Sequence, residues 1–140
     1  TGLPAIADDS GICVDVLGGA PGIHSARYAG TRDDRDNYRL LLTNLRGQLD
    51  RTAQFVCAAA LVDLAALDTG SAFEHTERGV WPGSVLEAPA GAGGFGYDPV
   101  FRPDGLDISS AEITADEKNA QSHRARAFGL LVAALRARYG

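Results

Sequence analysis

With 140 residues, 45% apolar and 22% of them charged, the chain has the bulk of one ordinary domain that buries a core, which excludes a disordered polymer. Its net charge of -5 excludes a protein that wraps a long nucleic acid, because neutralising a phosphate backbone needs clustered Lys and Arg. A single nucleotide carrying magnesium remains compatible, since an acidic site suits that ion.

In chain order, Leu3–Ala7 is a short apolar run ending in Asp8-Asp9-Ser10-Gly11, and Ile12–Leu17 reads as a second strand. Gly18–Gly22 is a loop by composition. Thr31–Leu45 is expected to be helical: Asp33, Asp34 and Asp36 crowd the end where the helix dipole favours negative charge, and Leu41, Leu42 and Leu45 recur at helical spacing. Thr52–Leu67, apolar without alternation, reads as a strand buried on both faces, with Ser71–Val80 as its hairpin partner. Gly91, Gly93, Gly94 and Gly96 then lead into Tyr97-Asp98-Pro99. Thr114 with Glu117 forms a capping box opening a helix to about Arg138, whose apolar face is Ala127, Leu130, Leu131, Ala134 and Leu135. Strands and helices in this order give an α/β or α+β domain over residues 1–140.

Cys13 and Cys57 lack zinc spacing and read as small buried side chains of a cytoplasmic protein. No signal peptide is visible, and the apolar stretch Phe128–Leu135 is far short of the roughly 20 residues of a membrane helix. The chain begins with Thr1 and enters an apolar run at once, as if read from partway through a domain.

Three clusters could carry chemistry. Adjacent carboxylates in a strand point to opposite faces, so of Asp8 and Asp9 one could meet a cleft and magnesium while the other braces the loop; a solvated turn is the bland alternative. Phe95 in its glycine-rich setting offers a flat face to a nucleobase, and Asp98 an acceptor, although a structural turn fits the pattern as well. Lys118, His123 and Arg124 put cationic donors near the start of the last helix, where a solvated basic face is the ordinary alternative. His24 and His75 have no companions. Walker, zinc and Gly-x-Ser-x-Gly motifs are absent.

Taken in order, Leu3–Gly11, Gly18–Ile23 running into Ser25–Gly30, Gly79 with Trp81-Pro82-Gly83, Gly93–Phe101, and Glu117–Ala120 leading to Ser122-His123-Arg124 resemble the inosine triphosphate pyrophosphatase family, the XTP/dITP diphosphatases. The resemblance implies a twisted mixed sheet flanked by helices, and hydrolysis of ITP, dITP and XTP to monophosphate and pyrophosphate with Mg2+. It makes Asp9 the catalytic, metal-binding carboxylate and sets Ser10 beside the substrate. Phe95, Gly96, Tyr97 and Asp98 would form the base pocket, with Lys118, His123 and Arg124 completing base recognition. It also implies a homodimer, to which Trp81-Pro82-Gly83 could belong, with no nucleic-acid polymer or membrane as partner. Family members carry a Ser/Thr-x-Asn-x-x-Lys phosphate loop and a metal-binding Glu ahead of the first matching residues here. The expectation is therefore an N-terminally truncated enzyme, with a catalytically incomplete nucleotide-binding or dimerising module as the alternative.

Overall fold

A computed structural model of the chain describes residues 4–63 and 73–140. Four antiparallel strands stand in the order β1-β2-β3-β4: β1 is Ala5–Val14, β2 Thr52–Asp63, β3 Phe73–Val85 and β4 Phe101–Pro103. Helix α1 (Asp34–Asn44) follows β1, and α2 (Ala115–Gln121) and α3 (His123–Tyr139) close the chain. The α/β reading stands; where a mixed sheet was implied, every pairing among the described residues is antiparallel.

The first correction concerns β1, which runs unbroken through Asp8-Asp9-Ser10-Gly11, from Ala5 opposite Val62 to Val14 opposite Ala53. Turn-forming residues stay extended there because β2 takes up their backbone hydrogen bonds, a tertiary effect that overrides local preference. Residues 15–17, expected as strand, form a 3-10 turn instead.

Strand β2 is the second correction. It buries alternate residues only, so one face is packed and the other is not. Its packed face, Ala53, Phe55, Cys57, Ala59 and Leu61, meets Trp81 and Phe101 at one end and Ala127 and Leu131 of α3 at the other. Small alanines on both faces hid the period of two. Positions 64–67 of the expected strand, and Ser71 and Ala72 of its partner, lie outside the described residues.

Strand β3 does pair with β2 as a hairpin partner, and it extends through Trp81-Pro82-Gly83. Trp81 is 2% exposed and packs against Phe55 and Phe101, so this protomer's own core holds it. Burying an aromatic of this size contributes about 2–3 kcal/mol.

The single C-terminal helix expected from Thr114 is two helices. The capping box at Thr114 and Glu117 is present, but Ser122 breaks the run, ending α2 and capping α3 through its hydroxyl, which accepts from the Ala125 N–H. Leu130 is exposed, and Phe128 joins Ala127, Leu131 and Leu135 on the packed side. Gly79 permits the close approach: a Cβ there would overlap the His123 carbonyl and the Ala127 amide of α3. Asp33 caps α1, accepting from the N–H groups of Arg35 and Asp36, so that helix starts three residues later than expected.

Candidate active site

A cleft of about 610 Å³ opens between the edge of β1, the 93–98 loop and the junction of α2 and α3. That is within the usual range for small-molecule sites. Asp8, Asp9, Ser10, Phe95, Lys118, His123 and Arg124 all line it. A smaller adjoining pocket of about 180 Å³ is lined by Phe95, Gly96, Tyr97, Asp98, Lys118 and His123, together with Asp34 and Ser25. The sequence clusters, more than a hundred residues apart at the extremes, therefore meet.

Strand alternation decides which carboxylate does what. Asp8 pairs across from Ala59 and lies on the side covered by α3, where its Oδ2 accepts from Arg124 Nε at 3.0 Å and Nη2 at 2.7 Å. Asp9 pairs across from the exposed Ala58 and lies on the other side. Because β1 is the edge strand of the described sheet, Asp9 still reaches the cleft rim, and no hydrogen bond or ion pair joins its carboxylate to the described residues. Ser10 shares the α3 side with Cys57, whose thiol is pushed above its ordinary pKa mainly by burial.

The break at Ser122 sets the donors' directions, which a continuous helix would have spread by about 100° per residue. Lys118 lies in the last turn of α2, and its Nζ bonds Asp98 Oδ2 and lies 4.5 Å from the centre of the Phe95 ring. His123 begins α3, 8% exposed, stacked on Phe55 at 4.8 Å between centroids. Burial pushes its pKa down to about 4, outweighing the attraction of Asp98, while the neighbouring cations Lys118 and Arg124 push the same way as burial. The ring is therefore neutral near pH 7, and its buried Nδ1 has no hydrogen-bond partner among the described residues. Such an orphan is costly in a finished core and natural in a site awaiting a ligand.

Asp98 is 2% exposed and already occupied: Oδ1 accepts from Ser110 Oγ at 2.7 Å, and Oδ2 from the Phe95 N–H at 3.0 Å as well as from Lys118. Its carboxylate staples the loop more than it presents a free acceptor. Tyr97 is likewise buried at 5% exposure, its hydroxyl donating to the Ser25 carbonyl at 2.7 Å, and burial raises its pKa. Phe95 is the exposed member, at 65%. His24 stays exposed, and His75 pairs with Glu77 at 2.8 Å away from the cleft.

Sequence reasoning missed Asp34, Ser25 and Ser110. Asp34 Oδ2 accepts the Gly96 N–H at 2.8 Å across 62 residues, and the Ser25 hydroxyl accepts the Ile12 N–H at 3.0 Å. In the sequence Asp34 reads as helix-end charge, and nothing local signals a partner so distant along the chain.

Residues 1–134 match the Ham1 family. A dITP/XTP pyrophosphatase of Streptomyces coelicolor is 54% identical over 139 residues, 97% of this chain, and the chain spans 66% of that relative's length. One from Yersinia pestis is 51% identical, with 97% of this chain and 68% of the relative covered. Among solved structures, the Staphylococcus aureus Ham1 protein superposes with a TM-score of 0.89 at 38% identity, covering 98% of this chain and 69% of that one. A nucleoside-triphosphatase, dITP/XTP pyrophosphatase, from Mycobacterium abscessus gives 0.78 at 46%, covering 94% and 65%.

Proposed function

The chain belongs to the Ham1 family, and on that footing we propose that it serves the hydrolysis of deaminated purine nucleoside triphosphates, ITP, dITP and XTP, at the α–β anhydride, releasing monophosphate and pyrophosphate. The observation that carries this reading is the convergence on one cleft of the Asp9 carboxylate, unpaired among the described residues, an exposed aromatic ring and the Lys118, His123 and Arg124 donors. The names of its relatives support the substrate class.

Base selection follows from hydrogen-bond polarity. Position 6 of hypoxanthine and xanthine is a carbonyl acceptor, which suits Lys118, Arg124 and whichever ring nitrogen of neutral His123 carries the proton. Adenine would set an amino donor against those donors and leave buried groups unpaired, a mismatch that discriminates by about 10⁴ or more. The base stacks on Phe95, with Ser10 beside the substrate. Gly96, Tyr97 and Asp98 shape the pocket, Tyr97 and Asp98 from within the core. Arg124, steadied by Asp8, still has N–H groups to spare among its five.

Asp9 is the candidate for orienting and deprotonating the attacking water. Its carboxylate also fits magnesium, which takes one or two carboxylates plus substrate phosphates and waters. Among the described residues no group of three or more His, Cys, Asp or Glu could hold a metal ion. When bound, the ion supplies charge neutralisation on the phosphate oxygens. The same reading takes residues 1–140 as one domain, acting in the cytoplasm as part of a homodimer; no helix among the described residues is long and apolar enough to cross a membrane.

The test is pyrophosphate release from ITP against ATP, with and without magnesium. Release favouring ITP and lost on chelation supports the reading. Inosine monophosphate binding without release would leave a nucleotide-binding module in its place.

A further inference from the structure

The ring offered to the base sits on a segment with little apolar anchorage. Phe95 is 65% exposed, and it lies between Gly94 and Gly96, both at positive φ, of +69° and +60°. Glycine backbone is the freest to reorient, so such a segment keeps its shape only through what holds its polar groups. Two carboxylates from different parts of the fold do so. Asp98 accepts the Phe95 N–H, and Asp34, in the first turn of α1, accepts the next one, from Gly96, at 2.8 Å. Asp98 is itself braced by Ser110 and Lys118, which ties it to α2 and the loop before it. Among the described residues, the Asp34 carboxylate makes the one hydrogen bond that joins α1 to the loop, and it also lines the pocket beside Phe95 and His123.

We propose that Asp34 is a positioning residue for base recognition: by holding the Gly96 N–H it fixes the Phe95 ring over the pocket, so that affinity for the base depends on a helix that need not touch the substrate. The inference rests on the reading of this cleft as a purine nucleotide site. It separates two parts of binding, because a positioning contact behind the ring acts on the base and leaves the phosphates alone.

The experiment compares binding of inosine monophosphate with binding of magnesium and inorganic triphosphate, by calorimetry, in the unaltered chain, Asp34→Ala, Asp34→Asn, Phe95→Ala and the double variant Asp34→Ala/Phe95→Ala. Loss of a charge-assisted hydrogen bond corresponds to a roughly tenfold or greater loss of inosine monophosphate affinity in Asp34→Ala. Triphosphate affinity should stay unchanged, and Asp34→Asn, whose amide oxygen still accepts from Gly96, should restore most of the loss. In the Phe95→Ala background the Asp34 effect should vanish, because the ring it positions is gone. Faster hydrogen exchange at the Gly96 amide in Asp34→Ala supplies a ligand-free reading. Equal weakening of both ligands, or an undiminished Asp34 effect without the ring, overturns the proposal and leaves the nucleotide site standing. Failure of the unaltered chain to bind inosine monophosphate removes the nucleotide site, and the proposal with it.

Discussion

Asp8 and Asp9 are neighbours in β1 whose carboxylates lie on opposite sides of the sheet, one clamped by Arg124 and the other without a partner among the described residues. Alternation along a strand gives two identical side chains different chemistry. Asp8 steadies a cation; on the proposed function, Asp9 is the carboxylate that would meet metal and water.

Asp9→Asn is therefore expected to lower pyrophosphate release from ITP by at least about 10²-fold, the scale of losing a general base. Its unfolding midpoint should stay close to the parent's, since the carboxylate has no partner to lose among the described residues. Steady-state release and a denaturant titration together check this. A variant that keeps its rate would remove Asp9 from the chemistry.

Lys118→Met removes a donor and the counter-ion of buried Asp98 at once. The preference for inosine over adenosine monophosphate should fall about tenfold or more, as expected when a charged hydrogen-bonding group is withdrawn from a recognition site. Parallel binding titrations of the two nucleotides report the ratio directly. An unchanged ratio would mean that Lys118 serves the loop alone.

The buried His123 gives stability a pH dependence with a defined sign. Its folded pKa, about 4, lies below the ordinary 6.5, so the unfolded chain binds the proton more readily. The contribution is complete above about pH 6.5 and is lost as pH falls toward 4, about 3 kcal/mol in all. Unfolding midpoints between those limits should fall in the parent, and the corresponding slope should flatten in His123→Asn.

At Gly79 the expectation is purely steric. Alanine would drive its Cβ into backbone atoms of α3, which cannot rotate aside. We expect Gly79→Ala to destabilise the fold by about 3 kcal/mol and to displace His123, weakening inosine monophosphate binding as well. Chemical denaturation gives the first number and calorimetry the second.

Much of this was legible in the residues. The capping box at Thr114, the helix over the leucines of α1 and the β2–β3 hairpin followed from patterns within short windows, where spacing dictates which face a side chain takes; that the separate clusters share one cleft was implied by the family resemblance alone. Windows of that size could not show that Ser122 would break the last helix. Nor could they show that Asp-Asp-Ser-Gly would be held extended by β2, or that Trp81 would be drawn into the core.

The sequence by itself determined the chemistry available: which carboxylates, cations and aromatic ring exist, and the order in which the chain supplies them. Only the tertiary structure decided their states. It paired Asp8 and left Asp9 without a partner among the described residues, buried His123 until it lost its charge, filled the Asp98 carboxylate with three donors, and brought Asp34 to the loop that carries Phe95. Pairing, burial and desolvation depend on what lies within a few ångströms in space, and residues that distant along the chain acquire such neighbours only when it folds.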